Sequence, residues 1–371
     1  MTSPSASEGL SPAPVYLAVL AGGSGTRFWP ASRKLRPKQL LPLGPAWPRS
    51  LLQRTVERLL PLTDRSRVLI MTGAHLREAS LRELPQLTAD NFLAEPRAKN
   101  TAPCIAWATA LVFRDNPDGI LVVVPSDQHI ADEPAFRAAV ERAIESARAG
   151  AITTIGVVPS RPETGFGYIE RGAPRAPGVF SVQRFVEKPS LEKAKEYMAS
   201  GRFDWNAGMF VFRARDMLSA LTRHAPELAE GARKVAAERD DKARYEAAVE
   251  AFFDSAPSIS IDYAVMEKEE GLAVVPAEFG WSDLGSWESA WELAEKDDGG
   301  NVGAKGALFI DASNNLVQSS GTSENRTIAL LGVSDLCVVD TGDALLVMPR
   351  SRSQDVRLVV EALKERDETL L

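Results

Sequence analysis

A glycine-rich turn near the amino end of the chain carries the residue types best suited to chemistry. The apolar run Val15–Leu20 predicts a buried strand, and the sequence Gly22-Gly-Ser-Gly25 follows it directly. Glycine has no Cβ atom, so backbone N–H groups in such a turn can approach an anion closely. Arg27 and Lys38 add one forked, planar cation and one compact cation. The spacing matches neither the dinucleotide fingerprint nor the P-loop, yet the chemistry predicts a site for nucleotide phosphates.

Two aspartates from distant segments could hold a cation beside those phosphates. Asp127 lies in Val124-Pro-Ser-Asp-Gln-His129, just after an apolar run, and Asp283 lies in Gly280-Trp-Ser-Asp-Leu-Gly-Ser-Trp287. Mg²⁺ prefers hard oxygen ligands and commonly takes one or two carboxylates together with substrate phosphates. The alternative is that each aspartate caps a helix, because each precedes a plausible helix start. From the residues alone, the cap is the simpler interpretation.

Alternating strand and helix patterns indicate how these residues are brought together. Apolar runs before residue 159 predict strands at Val15–Leu20, Val68–Met71, Asn91–Ala94, Ile120–Val124 and Ile152–Val158. Helical spacing predicts helices between them at Ser50–Leu60, His75–Leu84, Thr101–Phe113 and Pro134–Ala149. This alternation predicts an α/β fold with a mostly parallel sheet and helices on both faces. Ligands of such sheets bind beyond the carboxyl ends of the strands, so we expect the glycine-rich turn and Asp127 on one rim.

The pattern becomes looser in the second half and changes again near residue 299. Strands are predicted at Val179–Glu187 and Met209–Phe212, and helices at Leu191–Ala199, Asp216–Leu221, Pro226–Ala237 and Lys242–Phe253. Short strands separated by Gly, Asn, Asp and Ser then predict a small β domain, with strands at Ala307–Ile310, Leu316–Gln318, Thr327–Leu331, Leu336–Val339 and Ala344–Val347. A last helix is predicted over Gln354–Arg366. We expect a disordered Ser/Pro/Ala-rich tail over residues 1–14, a large α/β domain over 15–298 and the small β domain with its terminal helix over 299–371.

The composition narrows the class of protein. The chain has 371 residues, of which 44% are hydrophobic, enough for one large core and a smaller one. Its 43 Lys and Arg against 50 Asp and Glu give a formal net charge of −7, which disfavours a general nucleic-acid-binding surface. Cys104 and Cys337 are predicted to be reduced thiols. The sequence shows neither a transmembrane stretch nor a signal peptide, so we expect a cytoplasmic enzyme without nucleic-acid or membrane partners.

The glycine-rich turn and the segment after it resemble the signature of the sugar-1-phosphate nucleotidylyltransferases. The resemblance rests on Gly22-Gly-Ser-Gly-Thr-Arg27 with Pro37-Lys38, while Trp29-Pro30 and Pro37-Lys-Gln-Leu-Leu41 are similar to the mannose-1-phosphate guanylyltransferase branch. Matches continue from residue 15 to the carboxyl end. The resemblance implies the nucleotide-diphospho-sugar transferase fold, a Rossmann-like, mostly parallel mixed sheet flanked by helices, followed by a short domain like a left-handed β-helix.

The resemblance reverses the interpretation of the two aspartates. Both segments match the family's metal motifs, which implies Mg²⁺ held by Asp127 and Asp283. Many relatives have His directly after the first aspartate, whereas here Gln128 precedes His129. This departure leaves the role of His129 open.

The resemblance also assigns catalytic and sugar-binding roles. It implies that Arg27 stabilises the departing pyrophosphate, that Lys38 neutralises the pentacoordinate phosphorus and that Lys188 aligns the attacking phosphate. The motifs Thr164-Gly-Phe-Gly-Tyr168, Phe185-Val-Glu-Lys-Pro189 and Trp205-Asn-Ala-Gly-Met209 complete a sugar pocket. The sugar phosphate is then expected to contact Gly167, Tyr168, Glu187, Lys188, Asn206 and Asp262.

Three features of this pocket remain open at the sequence level. Glu187 and Lys188 end a predicted strand, which places them on opposite faces. Asp262 could equally cap the helix that follows it. Ala207 stands where the common form of the motif has Ser, so one hydrogen bond to the sugar is missing or supplied by water.

Relatives read the nucleobase with the segment Glu95-Pro-Arg-Ala-Lys-Asn-Thr-Ala-Pro103. Guanine presents two donors, N1–H and the 2-amino group, and an ionised carboxylate such as that of Glu95 can accept both. An ordinary exposed glutamate is the alternative. The nucleotide is expected to contact Gly22, Gly23, Ser24, Gly25, Thr26, Glu95, Asn100 and Thr101.

The resemblance therefore implies an enzyme that makes GDP-mannose and pyrophosphate from GTP and α-D-mannose 1-phosphate with Mg²⁺. The chain ends soon after the β domain, so we expect it to lack the isomerase domain fused to some relatives. A nucleotidylyltransferase for another hexose 1-phosphate is one alternative, and a non-catalytic subunit that senses nucleotide sugars is another. The presence of Arg27, Lys38 and both aspartates disfavours the second. A homodimer is possible.

Overall fold

The computed structural model describes residues 13–23, 25–43, 49–320 and 326–371. Twelve residues of the predicted tail, 1–12, lie outside the described residues, and so does Ser24 of the glycine-rich turn. In the part of the chain that the structure describes, none of the helices has the length and apolar character needed to cross a bilayer.

A nine-stranded mixed sheet forms the centre of the molecule. Its strands are β1 (Val15–Leu20), β2 (Val68–Gly73), β3 (Phe92–Glu95), β4 (Ile120–Pro125), β6 (Thr153–Val157), β7 (Tyr168–Ala176), β8 (Val179–Val186), β9 (Phe203–Arg213) and β10 (Ala273–Ala277). They lie in the order β3-β2-β1-β4-β9-β6-β10-β8-β7. The neighbours β3, β2, β1 and β4 are all parallel, as predicted. Antiparallel pairs enter where β9 is inserted between β4 and β6.

The parallel half of the sheet brings the two predicted phosphate and metal segments together. Strand β1 pairs with β4 up to Leu20 and Pro125, so both strands end at the same level. The glycine-rich turn and Asp127 therefore leave the sheet on one rim, as predicted. A small antiparallel pair, β5 (His129–Ile130) with β11 (Trp281–Ser282), brings Asp283 to that rim.

Helices cover both faces of the sheet, and side-chain caps fix where several of them start. They are α1 (Leu51–Leu59), α2 (Arg77–Glu83), α3 (Thr101–Asp115), α4 (Glu133–Arg148), α5 (Leu191–Ser200), α6 (Ala214–His224), α7 (Pro226–Ala237), α8 (Lys242–Ser255), α9 (Trp287–Leu293) and α10 (Val356–Arg366). Ser50 and Gln53 form a capping box on α1. Helix α3 is buried on nearly all sides, because it lies between the sheet and α6 and α7.

The carboxyl-terminal segment winds as a short β-helix. Its strands are β12 (Val302–Gly303), β13 (Ala307–Ile310), β14 (Leu316–Ser319), β15 (Ile328–Leu331), β16 (Leu336–Asp340) and β17 (Leu345–Pro349). Strand β14 stacks parallel on β12, β15 on β13, and β16 on β14, so successive turns of the chain lie above one another. The antiparallel β17 then closes this sheet. Cys337 on β16 and Cys104 on α3 are both buried and unbridged.

Three strands of the main sheet differ from the sequence-based prediction. The buried strand β10 was not predicted, and β7 and β9 differ for one physical reason. Strand β9 begins six residues before the predicted Met209, and the polar residues Asp204 and Asn206 interrupt its apolar pattern. Strand β7 was not predicted, because its second half is exposed and carries no apolar alternation. Both strands line the sugar side of the site, where polar side chains replace core residues.

Candidate active site

The glycine-rich turn is folded against the segment that carries Lys38. Gly25 has φ +58°, and a Cβ atom there would lie 2.3 Å from Cβ of Lys38 and 2.7 Å from its backbone nitrogen. The buried amide of Gln39 donates to the carbonyl oxygens of Ala21 at 2.8 Å and Gly23 at 3.1 Å. Glycine is therefore required at position 25 for both conformation and space. Sequence reasoning gave Gln39 no role, although it holds the turn in place.

Lys38 connects the two aspartates predicted to hold a metal. Its buried ammonium lies 2.9 Å from Oδ2 of Asp127 and donates to the backbone carbonyl of Asp283 at 2.7 Å. Burial raises the pKa of the Asp283 carboxyl, an effect that Lys38 opposes and Asp127 strengthens. The three groups are therefore close enough to act on one ligand.

Neither aspartate caps a helix. Asp132 caps α4, and Ser286 caps α9. The cap interpretation is therefore wrong for Asp127 and Asp283. Both carboxylates are left facing the rim of the sheet.

The oxygen ligands at this rim fit a hard divalent cation such as Mg²⁺. A Cβ atom at Gly285 would lie 2.7 Å from Oδ2 of Asp283, so the glycine leaves room around that carboxylate. Among the described residues there is no cluster of three or more His, Cys, Asp or Glu side chains placed to hold a metal. A site with two carboxylates suits Mg²⁺ that completes its coordination with substrate phosphates.

His129 lies beside this rim but faces the interior. Its backbone pairs with Ser282 in the β5–β11 ladder. Burial, assisted by the charges of Arg54 and Arg58, lowers the pKa of His129 to about 4. The imidazole is therefore neutral at pH 7 and adds no positive charge to the phosphate site.

The residues predicted to read the nucleobase lie beside the glycine-rich turn. Glu95, at the end of β3, is buried, and a Cβ atom at Gly22 would lie 3.8 Å from its Oε1. Burial raises the pKa of Glu95 to about 7, opposed by a hydrogen bond with the thiol of Cys104. Asn100, at φ +65°, accepts a hydrogen bond from the backbone of Thr101 at the start of α3. Glu95 is thus not an ordinary exposed glutamate.

Four residues predicted to bind the sugar converge at the ends of β7, β8 and β9. A Cβ atom at Gly167 would lie 2.6 Å from Oε2 of Glu187 and 3.4 Å from Cβ of Asn206, so glycine is needed there. The amide of Asn206 donates to Oδ1 of Asp262 at 2.7 Å. Burial raises the pKa of Asp262, and the neighbouring Glu187 adds to that effect. Asp262 therefore faces the pocket and does not cap the helical turn that follows it.

Two expectations about this pocket need correction. Lys188 does not lie on the face opposite Glu187. Strand β8 ends at Val186, and Lys188 has a left-handed backbone with φ +44°. The Lys188 side chain therefore turns back, and its Nζ lies 3.2 Å from Oε1 of Glu187. Tyr168 is fully buried, and its hydroxyl hydrogen-bonds to the backbone of Glu163. The Tyr168 side chain supports the loop from behind and does not reach the pocket.

Several residues near the site were given no role of their own in the sequence analysis, although three of them lie within its motifs. The rings of Phe166, Trp205 and Trp281 form a cluster with centroid separations of 5.2 to 6.1 Å. Arg161 lies over the Trp205 ring at 5.7 Å, and its charge acts on Asp283. Only their proximity in the fold identifies them, since aromatic residues and single arginines are common in any chain.

The site as a whole joins a cationic turn, two carboxylates and a polar pocket on one rim. Arg27 is exposed on the helical turn Thr26–Phe28 that follows the glycines. A cavity of about 330 Å³ opens beside the turn and reaches α10, with Gly22, Gly23 and Lys364 among its lining residues. Such an arrangement can bind a polyphosphate and hold a second phosphate in line with it.

Two family models match consecutive parts of the chain. Residues 17–299 match the nucleotidyl transferase family, which is more than half of the chain. Residues 306–363 match a β-helix domain described as mannose-phosphate isomerase/GMP-like.

Individual relatives cover nearly the whole chain. Mannose-1-phosphate guanylyltransferases of Escherichia coli K12 and Salmonella typhimurium LT2 are each 42% identical, over 94% of this chain and 73% and 72% of their own lengths. A solved structure from Thermus thermophilus, described as a mannose-1-phosphate geranyltransferase, is 35% identical, with a TM-score of 0.83 over 94% of this chain and 99% of its own. The chain belongs to the nucleotidyl transferase family, within its group of mannose-1-phosphate guanylyltransferases.

Proposed function

We propose that this enzyme converts GTP and α-D-mannose 1-phosphate into GDP-mannose and pyrophosphate. A phosphate oxygen of the sugar phosphate attacks the α-phosphorus of GTP, and the bond from that phosphorus to the bridging oxygen of pyrophosphate breaks. The observation that carries the proposal is the contact of Lys38 with both aspartate segments directly beneath the glycine-rich turn. The names of relatives that are 42% identical supply the substrates.

The chain's own residues supply positioning and charge. The backbone of Gly22, Gly23 and Gly25 receives the triphosphate, and Arg27 follows the charge that develops on the departing pyrophosphate. Lys38, whose ammonium lies between the two aspartate segments, neutralises the α-phosphate. Mg²⁺, held by Asp127 and Asp283, would neutralise the phosphates of both substrates. Phosphoryl transfer needs little more than this alignment and charge neutralisation.

The nucleobase end and the sugar end of the site give the proposed selectivity for guanine and for mannose 1-phosphate. Glu95 accepts hydrogen bonds from N1–H and the 2-amino group of guanine, which adenine cannot offer in that arrangement. Glu187, Asn206 and Asp262 receive sugar hydroxyls, and Lys188 holds the sugar's phosphate. The 3.2 Å pair between Lys188 and Glu187 couples these two contacts.

A pyrophosphate-release assay tests the proposal. Purified enzyme with Mg²⁺ is supplied with GTP, ATP, UTP or dTTP in combination with mannose 1-phosphate, glucose 1-phosphate or galactose 1-phosphate. We expect the highest kcat/KM for GTP with mannose 1-phosphate, by at least tenfold over any other pair. A higher kcat/KM for a different base or sugar assigns the enzyme to another nucleotidylyltransferase activity. No turnover with any pair, from folded protein, favours a sensing subunit.

A further inference from the structure

Gln128, the residue after Asp127, connects three segments of the proposed site. Its buried side-chain amide donates through Nε2 to the backbone carbonyl of Ala207 at 2.7 Å. The same amide accepts, at Oε1, a hydrogen bond from the indole N–H of Trp281 at 2.9 Å. These partners belong to β9 beside Asn206 and to β11 just before Asp283.

The two partners fix the chemistry that this position requires. An indole N–H can only donate, and a backbone carbonyl can only accept. The residue between them must therefore offer one acceptor and one donor at the end of the same side chain. A carboxamide does so, whereas a carboxylate lacks the donor, and a methionine has no donor and only a weak sulfur acceptor.

The backbone alone does not hold the two aspartates. The ladder between β5 and β11 ends with His129 opposite Ser282. Asp127 and Asp283 both lie beyond that last pair. Close to them, the Gln128 amide is a hydrogen-bonded link from both aspartate segments to the sugar-side strand, in addition to the Lys38 contacts and the packing of the Trp281 ring on Trp205.

We propose that Gln128 is a positioning residue that sets the spacing between Asp127, Asp283 and the strand that carries Asn206. This inference rests on the proposed function, because it concerns the carboxylates assigned there to Mg²⁺. Mg²⁺ demands nearly ideal octahedral geometry, and in-line transfer is sensitive to displacements near 1 Å. Loss of the link should therefore affect metal binding and turnover more than nucleotide binding.

The test uses Gln128→Met, which keeps the side-chain length and removes both hydrogen bonds. Gln53→Met is the matched control, because the Gln53 amide also accepts one hydrogen bond and donates another, here with the backbone of Ser50 at 2.9 Å and of Glu83 at 2.8 Å, away from the rim. We measure Tm, kcat, KM for GTP, and Mn²⁺ affinity from the electron paramagnetic resonance signal of free Mn²⁺. Both variants should lower Tm by similar amounts. Only Gln128→Met should lower kcat at least tenfold and weaken Mn²⁺ binding at least threefold, with KM for GTP within twofold of wild type.

Unchanged kcat and Mn²⁺ affinity in Gln128→Met, with a Tm loss like that of Gln53→Met, overturn the inference. If Gln128→Met does not fold, Trp281→Phe decides, since it removes the indole donor and keeps an aromatic ring beside Phe166 and Trp205. A fivefold or larger loss of kcat supports the inference, and a smaller one overturns it. Asp127→Asn separates the two proposals. If Asp127→Asn binds Mn²⁺ as tightly as wild type, the metal assignment is refuted. If Asp127→Asn abolishes Mn²⁺ binding but Gln128→Met leaves it intact, only the positioning role is refuted.

Discussion

At the scale of single residues, the site depends on carboxylates held in environments that change their chemistry. Asp283 is partly withdrawn from water and lies near both Lys38 and Asp127. Glu95 is more strongly affected, since burial brings its pKa to about 7. In both cases the bound ligand is expected to supply the positive charge or the donors that compensate for burial.

The aspartates should control the dependence on metal. Asp127→Asn and Asp283→Asn keep the shape of the side chain and remove one negative charge. Each should slow turnover by at least a hundredfold, because one preorganised charge contact contributes roughly 3–4 kcal/mol to transition-state stabilisation. The measurement is kcat as a function of Mg²⁺ concentration. Rates near wild type for both variants at saturating Mg²⁺ would remove the metal assignment.

Glu95 should set the preference for guanine. Adenine places an acceptor, N1, against the carboxylate, and a buried charged acceptor without a donor costs on the order of 1–3 kcal/mol or more. Glu95→Gln should narrow the ratio of kcat/KM for GTP over ATP by about tenfold, which corresponds to roughly 1.4 kcal/mol. An unchanged ratio in an active variant would move base recognition to other groups near Gly22 and Asn100.

Glu95 should also make GTP use dependent on pH. Its pKa is raised to about 7, so the carboxyl is protonated below that pH and can no longer accept both guanine donors. We expect kcat/KM for GTP to fall as pH decreases through 7, and to do so less in Glu95→Gln.

The effect of the same carboxyl on the free energy of unfolding has the opposite sign. The folded state keeps a proton that the unfolded state loses above pH 4.5, so stability without ligand falls as pH rises from 4.5 to 7. Profiles of activity and of urea unfolding against pH check both statements.

At the scale of elements, the site is built where strand ends meet turns that only glycine allows. The turn after β1 packs directly on the backbone of Lys38 through Gly25. The loop after β6 similarly requires Gly167 beside Glu187. Beyond each aspartate of the site, a capped helix then begins: Asp132 caps α4 and Ser286 caps α9.

Gly25→Ala should disable the turn for a steric reason that a control can isolate. The new Cβ atom would lie 2.3 Å from Cβ of Lys38, so the turn or the Lys38 segment must shift, which disturbs the contact of Lys38 with Asp127. Gly201→Ala is the control, since Gly201 has φ +63° at the end of α5 with nothing within 4 Å of the added atom. Both variants carry the left-handed backbone cost of roughly 1–3 kcal/mol, but only Gly25→Ala should lose activity, by at least a hundredfold in kcat/KM. Equal activity in the two variants would show that the Lys38 contact is not needed.

At the scale of the whole molecule, the carboxyl-terminal β-helix forms part of the support for the glycine-rich turn. Phe28 and Trp29, just after Arg27, lie in one apolar cluster with side chains from β14, β16 and α10. The indole of Trp29 donates to the carbonyl of Leu370 at 2.8 Å, and Arg33 pairs with Asp343 at 3.1 Å. The sequence places these partners more than 300 residues apart.

Trp287→Phe should test this support. Trp287 is buried, donates to the carbonyl of Trp29 at 3.2 Å, and packs edge-on against Phe28 with 5.0 Å between ring centroids. Its replacement should lower the free energy of unfolding by about 2 kcal/mol, from the smaller ring and the carbonyl left without a donor. We also expect KM for GTP to rise several-fold, measured beside urea denaturation. Destabilisation with unchanged KM would show that this apolar cluster, which α9 shares with the β-helix, stabilises the fold without shaping the turn.

Much of the rim could be predicted from the sequence because its signals are local. Strand β1 and helix α7 have the bounds predicted from their patterns, since a buried apolar run and helical spacing depend only on neighbouring residues. The glycine-rich turn, Lys38 and the two aspartates were predicted from residue type and from a family resemblance. Strand β7 and the start of β9 were not, because polar residues there serve the pocket and break the pattern.

The α/β alternation, the cationic turn after the first strand and the types of the charged groups could be read from the chain, because each depends on neighbouring residues. Which of these groups meet depends on the packing of the whole fold. It placed Lys38 against Asp127, turned Lys188 back toward Glu187, buried Tyr168 behind the pocket and set the Gln128 amide between Trp281 and Ala207. The contacts of Lys38 and Gln128 join residues 79 to 245 positions apart, and that of Lys188 depends on a single left-handed backbone turn. Local sequence patterns carry no information about such contacts, because packing of the whole sheet and its loops determines them.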